Sequence, residues 1–153
     1  MIKRELYMKR IRPFIGLDLI KVIRGIHRCG KSVMLELIKQ ELIESGVNPI
    51  QFISINFEDL SYSHLQTAKS LHDEITNRAK DIDGKVYLFF DEIQEVKDWE
   101  KCINSFRVSF DCDIYITGSN AKLLSSELAT YLGERYVEFV IYPFSFREFI
   151  ELY

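Results

Sequence analysis

Gly25-Ile26-His27-Arg28-Cys29-Gly30-Lys31-Ser32 is the stretch that decides the fold of this chain, because it fits the spacing G-x-x-x-x-G-K-[ST] without a mismatch. Glycines at the two fixed positions let the backbone turn tightly, so that successive N–H groups point inward and form a nest for anions. Lys31 can then reach the β- and γ-phosphates of a nucleotide, and the Ser32 hydroxyl is placed to coordinate Mg²⁺. The predicted phosphate-binding residues are Gly25, Ile26, His27, Arg28, Cys29, Gly30, Lys31, Ser32 and Val33.

The residues on either side of this loop support the prediction. A short run rich in β-branched residues, 19–24, precedes it and is typical of a strand. Apolar residues at helical spacing follow it as far as Leu42, and Gly46 with Asn48-Pro49 ends the pattern. The helix would place its positive N-terminal end beneath the phosphates. The alternative is a surface glycine turn that happens to contain Gly-Lys-Ser.

Length and composition limit the class of protein. A chain of 153 residues is long enough for a single domain, 1–153, with a sizeable core. Its 47% hydrophobic and 28% charged residues are typical of a soluble globular protein, and no apolar run reaches membrane-spanning length. The three cysteines lack C-x-x-C spacing, which argues against a disulfide framework and against zinc and favours a reducing cytoplasm.

The charge pattern offers little attraction for nucleic acid, because the net charge is −3. One basic cluster lies near the N-terminus and consists of Lys3, Arg4, Lys9, Arg10 and Arg12. This cluster has two possible interpretations. The first is a surface that binds nucleic acid or an acidic partner, and the second is the solvated face of an amphipathic helix over about 3–15. We favour the helix face, since most charge runs are solvated.

Strand-like and helical patterns alternate along the chain. Strands are predicted at 20–24, 50–57, 86–91, 114–117 and 137–142, and helices at 31–45, 67–81, 99–110 and 123–132. The run 86–90 is apolar throughout, as expected for a parallel strand that is buried on both faces. This alternation predicts an α/β fold with right-handed crossovers and helices on both faces of the sheet.

The end of the chain carries a helix-opening signal. Ser145 and Glu148 form the S-x-x-E pattern of a capping box, and the chain stops at Tyr153, barely two turns later. We expect a larger protein that continues into a C-terminal domain; a short closing helix on a complete domain is the alternative.

A second candidate site follows the apolar run at Asp91-Glu92. Ligands of open α/β sheets bind at the carboxyl ends of the strands, where these acids would lie. Asp91 is predicted to hold Mg²⁺ opposite Ser32, and Glu92 to polarise a water for attack on the γ-phosphate. Without the loop, the pair would be an ordinary acidic turn after a strand.

A third strand ends in Thr117-Gly118-Ser119-Asn120. If it lies between the strands of Gly25 and Asp91, then Thr117, Ser119 or Asn120 can hydrogen-bond the attacking water or the γ-phosphate. The alternative is that Ser119 or Asn120 caps the next helix.

Several segments come in a characteristic order, and together they resemble the ATP-binding domain of a large family of prokaryotic AAA-type ATPases. The segments are Arg24-Gly25-Ile26-His27-Arg28-Cys29-Gly30-Lys31-Ser32, Leu88-Phe89-Phe90-Asp91-Glu92-Ile93-Gln94, Trp99, Thr117-Gly118-Ser119-Asn120 and Pro143-Phe144-Ser145-Phe146-Arg147-Glu148-Phe149. The resemblance covers nearly the whole chain, and this family usually carries a separate C-terminal domain of poorly defined function. It implies a P-loop NTPase fold with a five-stranded parallel sheet of order 5-1-4-3-2, with ATP and Mg²⁺ as cofactors.

The resemblance also implies roles for single residues. Lys31 and Ser32 would bind phosphate and Mg²⁺, and Asp91 would bind Mg²⁺. Glu92 would act as base, with Ser119 or Asn120 as sensor. The family often has Gly-Arg before its fifth strand, whereas Gly133-Glu134-Arg135 has one residue inserted.

Arg135 would either stabilise transition-state charge, in its own subunit or across the interface of a homo-oligomer, or form a salt bridge at a strand start. His27 stands where the family commonly has arginine, which should tune binding and not abolish it.

The leading functional hypothesis is Mg²⁺-dependent ATP hydrolysis coupled to movement of a larger protein. A nucleotide-binding switch with little turnover is the alternative. A P-loop kinase is less favoured because an arginine-rich lid is not found, and a GTPase because the sequence lacks N-K-x-D.

Overall fold

Five strands alternate with five helices in the part of the chain that the computed structural model describes, residues 2–26, 30–119, 123 and 125–142. For residues 2–4, 125 and 126 only the backbone is described. The strands are β1 (Ile20–Gly25), β2 (Phe52–Asn56), β3 (Val86–Asp91), β4 (Cys112–Ser119) and β5 (Tyr136–Ile141). The helices are α1 (Ile2–Ile11), α2 (Lys31–Glu44), α3 (Ala68–Ala79), α4 (Trp99–Ser109) and α5 (Ser125–Leu132).

The strands form one sheet in the order β2-β3-β4-β1-β5, and every neighbouring pair is parallel. Read from the other edge, this is the predicted order 5-1-4-3-2, which is therefore confirmed. The register places Gly25 beside Ser119, and Asn56 beside Asp91. The ends of β1, β2, β3 and β4 consequently meet at one edge of the sheet, where ligands of such folds bind.

Both faces of the sheet are covered by helices, as predicted. Leu88 and Phe90 of β3 belong to the core that includes residues of α3, α4 and α5. Phe89 belongs to the other core, with residues of α1 and α2, and stacks on Tyr115 of β4 with ring centroids 5.1 Å apart. Alternate residues of a strand face opposite sides, so β3 is apolar throughout because both of its faces are buried.

Two predicted element boundaries are wrong because of proline, and β4 is longer than predicted, Cys112–Ser119 against 114–117. The N-terminal helix ends at Ile11 and not near residue 15, because Pro13 lacks the N–H that would continue it; a 3₁₀ turn, Arg12–Phe14, follows. Strand β2 begins at Phe52 and not at Ile50, because Pro49–Gln51 forms another 3₁₀ turn. The Asn48 side chain caps this turn by accepting from the Ile50 N–H at 3.0 Å.

The N-terminal basic cluster is partly neutralised within the fold. Arg12 donates to Glu41 at 2.7 Å and to Glu5 at 3.0 Å. Tyr7 and Ile11 of α1 are buried in the core. These contacts favour the solvated helix face over a surface for nucleic acid.

Candidate nucleotide site at the carboxyl edge of the sheet

The predicted phosphate loop leaves the end of β1 at Gly25 and enters α2 at Lys31. Gly30, directly before the helix, has φ 101°, a left-handed conformation that glycine adopts at little cost. Ile26, the second residue of the loop, and Val33, directly after it, are exposed, at 49% and 40%. The predicted loop residues His27, Arg28 and Cys29 lie outside the described residues.

The Lys31 side chain is buried, with 3% of it exposed. Its Nζ lies 3.1 Å from the Gly25 carbonyl oxygen, 3.3 Å from that of Ile26 and 3.1 Å from Glu92 Oε1. An ammonium group has three N–H donors, and these contacts supply three acceptors. The cation is thus held by two backbone carbonyl groups and one carboxylate.

The side chain of Asp91, the last residue of β3, accepts hydrogen bonds from both α2 and β4. The Ser32 hydroxyl donates to Asp91 Oδ2, and the Thr117 hydroxyl donates to Asp91 Oδ1 at 2.5 Å. Thr117 Oγ1 also accepts from the Glu92 N–H at 2.9 Å. A serine hydroxyl and a carboxylate side by side are the oxygen ligands that Mg²⁺ prefers, so the donor set fits that ion.

Glu92 departs from the strand conformation, with φ 57° and ψ 54°. This left-handed region is unfavourable for residues other than glycine, and such outliers often occur at functional sites. Its carboxylate is almost fully buried between Lys31 and Gln94, whose Nε2 donates to Glu92 Oε2 at 2.6 Å.

A cleft of about 260 Å³ opens beside Ser32 and Asp91, between α2 and β2. Its polar lining includes Glu36, Lys39, Ser54 and Asn56. The cleft gives the two predicted Mg²⁺ ligands access to the surface of the molecule.

The other predicted site residues fall at different places. Ser119 lies at the carboxyl end of β4, beside Gly25, and its carbonyl accepts from the Leu123 N–H at 2.8 Å. Asn120 lies outside the described residues. Thr117, one of the three alternatives predicted to contact the attacking water or the γ-phosphate, is fully buried and bonded to Asp91 and to the Glu92 N–H.

Arg135 is not part of this cluster. Its carbonyl accepts from the Ile20 N–H at 2.8 Å, which places it at the amino end of β1. Gly25 lies at the other end of that strand, and a strand advances by about 3.3 Å per residue. Arg135 is therefore at the opposite edge of the sheet from the phosphate loop of its own chain.

Gln94 is the site residue that sequence reasoning missed. It lies in the motif segment 88–94, which predicts no role for it, and its two-residue distance from Glu92 is the one signal in the sequence that indicates a contact. Its contact with Glu92 depends on the tight 3₁₀ turn Ile93–Glu95, which the sequence did not predict.

Comparison with known proteins identifies the family. The AAA domain family matches residues 18–150, which is most of the chain. This chain belongs to that family. The resemblance inferred from the motifs is thereby confirmed, and nucleotide binding and ATPase chemistry are supported at the level of the family.

Two curated relatives of this AAA domain are similar in sequence. An uncharacterized protein of Haemophilus influenzae is 45% identical over 150 residues, covering 98% of this chain and 38% of the relative. An uncharacterized protein of Methanocaldococcus jannaschii is 39% identical over 132 residues, covering 86% of this chain and 28% of the relative. The chain thus spans well under half the length of either relative.

A solved structure shares the fold. AMPPCP-bound DnaA from Aquifex aeolicus is similar with a TM-score of 0.58 and 16% identity, over 92% of this chain and 47% of that one. At this identity the similarity shows the fold alone. In the described part of the AAA domain, no helix has the length and apolarity that crossing a membrane requires.

Proposed function

We propose that this AAA domain binds ATP and hydrolyses it with Mg²⁺, and that hydrolysis drives a conformational change in a larger protein. One observation carries the proposal: Lys31, Ser32, Asp91 and Glu92 converge at the carboxyl edge of the sheet. A cation, two oxygen ligands and a carboxylate are the groups that phosphoryl transfer to water requires.

Each of these residues has a distinct role in the proposal. The loop N–H groups and Lys31 bind the β- and γ-phosphates, while Ser32 and Asp91 hold Mg²⁺. When bound, Mg²⁺ neutralises charge that develops on the phosphate oxygens. Glu92 Oε1, released from Lys31, accepts a proton from the attacking water. Ser119 or Asn120 orients that water or the γ-phosphate.

Arg135 can stabilise transition-state charge only in the site of a neighbouring copy, because it lies at the far edge of its own sheet. In that role the active form would be a homo-oligomer. The absence of N-K-x-D favours adenine over guanine, and the cysteine pattern favours the cytoplasm.

A second candidate is a nucleotide-binding switch with little turnover. The contact between Lys31 and Glu92 favours it, because one ion pair occupies both the phosphate-binding cation and the proposed base. ATP binding alone would then change the site. Turnover by the protein at its natural length separates this candidate from the ATPase.

The test of nucleotide binding is Lys31→Ala, with Lys69→Ala on the exposed face of α3 as the control. Lys31→Ala should abolish binding of a fluorescent ATP analogue, since the phosphates lose their cation; Lys69→Ala should bind as the wild type does. Unchanged affinity in Lys31→Ala would contradict the phosphate-loop assignment. Phosphate transfer to an acceptor other than water would indicate a kinase instead.

A further inference from the structure

Gln94 makes a directed contact with the proposed base. Its Nε2 donates to Glu92 Oε2 at 2.6 Å. An ionised carboxylate only accepts hydrogen bonds, so the NH₂ side of the amide must face Glu92. Hydrogen bonds to charged groups are shorter and stronger than neutral ones, which makes this contact a firm restraint on the carboxylate.

The amide of Gln94 is fixed from its other side as well. Its neighbour Ile93 is completely buried in the core. A Cβ atom added to Gly118 would lie 2.7 Å from Gln94 Oε1 and 2.1 Å from the Leu123 side chain. The missing side chain of Gly118 is therefore what lets the amide approach β4.

Gln94 carries a cost that packing alone does not explain. Its Oε1 is buried and has no hydrogen-bond partner among the described residues. A buried acceptor without a partner destabilises the fold, and an apolar side chain of the same length would avoid this cost. The amide is useful at this position because its N–H binds Glu92.

The two oxygens of Glu92 have different partners: Lys31 contacts Oε1, and Gln94 contacts Oε2. In the proposed function, on which this inference rests, Lys31 turns to the phosphates when ATP binds. We propose that Gln94 is a positioning residue that holds Oε2 while Oε1 accepts the proton of the attacking water. The retained hydrogen bond stops the carboxylate from rotating after Lys31 has left.

The first test needs no turnover. The protein at its natural length is labelled with ¹⁵N-glutamine, and the side-chain amide signal of Gln94 is assigned through its loss in Gln94→Met. We expect this signal to shift in Glu92→Ala and to stay in place when a non-hydrolysable ATP analogue moves Lys31 away. The proposal would be overturned if the chemical shift of the Gln94 amide is the same in Glu92→Ala as in the wild type. It would also be overturned if binding of the analogue moves that shift to the value of a solvent-exposed glutamine.

The second test separates chemistry from binding. Gln94→Met keeps the length of the side chain but removes the donor, and kcat should fall about 10- to 100-fold with unchanged affinity for the analogue. Gln40→Met is the matched control, because Gln40 also donates to a glutamate, Glu44, on the exposed face of α2. An unchanged kcat, or a loss that appears only in binding, would contradict the proposed role.

A double variant shows whether Gln94 acts through Glu92. In the Glu92→Gln background, Gln94→Met should cause no further loss in single-turnover rate, because the carboxylate that it positions is already gone. A loss of the same size in both backgrounds would mean that Gln94 acts independently of Glu92. If the wild type has no turnover, the proposed function fails, while the amide signal still decides whether Gln94 holds Glu92.

Discussion

At the scale of single residues, the ion pair between Lys31 and Glu92 competes with the binding of phosphate by Lys31 in the proposed function. Both side chains are nearly buried, at 3% and 7% exposed, so each would be costly without an opposite charge. Their pairing compensates both buried charges, but in the proposed function it also places the negative charge of Glu92 beside the phosphates that Lys31 would bind. A nucleotide must therefore displace one member of a buried ion pair before it can bind Lys31.

Glu92→Gln should change binding and hydrolysis in opposite directions. The amide has no negative charge to hold Lys31 or to repel phosphate, so a non-hydrolysable ATP analogue should bind more tightly than it does to the wild type. Hydrolysis should slow by roughly 10²- to 10⁴-fold, because the proposed base is lost. Titration of the analogue and steady-state phosphate release measure the two effects.

The control for this prediction is Glu44→Gln, an exposed position near the end of α2. It should match the wild type in both assays. Wild-type turnover in Glu92→Gln would mean that the base lies elsewhere. Weaker binding of the analogue would mean that the ion pair does not compete with phosphate.

At the scale of elements, Thr117 couples β4 to the acidic end of β3. Phe89 pairs with Tyr115 across these strands. Because alternate residues of a strand share one face of the sheet, Asp91 and Thr117 are the next neighbouring pair of side chains on that face. The Thr117 hydroxyl satisfies both the Asp91 carboxylate and the Glu92 N–H. One side chain thereby fixes the positions of both acidic residues.

Thr117→Val should lower the free energy of unfolding by about 1–3 kcal/mol, because it leaves a buried N–H without an acceptor and a carboxylate oxygen without its donor. Urea denaturation measures the loss. Thr76→Val on α3 is the matched control, since the Thr76 hydroxyl is buried and has no hydrogen-bond partner within the described part of the chain, so its removal should be neutral or stabilising. Equal losses in both variants would rule out a special role for the Thr117 hydroxyl.

These elements also show what the sequence could predict. The loop motif and the position of Asp91 after an apolar run were local signals, and the parallel order then required both to lie at one edge. The hydrogen bonds from Thr117 to Asp91 and Glu92 depend on the register between β3 and β4, and no local sequence pattern predicts that register. The position of the Gln94 amide depends in addition on Gly118 of β4, because a side chain there would take up the space of the amide. The catalytic roles assigned to the predicted residues remain predictions.

At the scale of the whole molecule, a second polar cluster lies toward the amino edge of the sheet. Lys21 Nζ contacts Asp113 Oδ1 at 2.5 Å and the Leu17 carbonyl at 2.6 Å. Asp113 Oδ2 accepts from the Gly16 N–H at 3.0 Å and from the Tyr115 hydroxyl at 2.6 Å. The side chains of Lys21 and Asp113 are completely buried, so the cluster anchors the segment before β1 to β4.

Asp113→Asn should lower stability without changing nucleotide affinity, because the cluster and the phosphate loop lie toward opposite ends of β1. Leaving Lys21 as an unpaired buried cation should cost about 3–5 kcal/mol. Adding Lys21→Met should recover most of this loss, since asparagine still accepts from Gly16 and Tyr115. Urea denaturation measures stability, and titration with the ATP analogue measures affinity.

The stability of Asp113→Asn should also depend on pH in a defined direction. Burial lowers the pKa of Lys21 from its ordinary value of 10.5, and the Asp113 carboxylate opposes this shift. Without the carboxylate the pKa falls further, so between the folded pKa and 10.5 the unfolded chain binds a proton that the folded chain has released. Stability must rise with pH in that window, and the difference from the wild type should shrink as the pH approaches 10. A difference that is constant between neutral pH and pH 10 would show that Lys21 keeps its proton without Asp113.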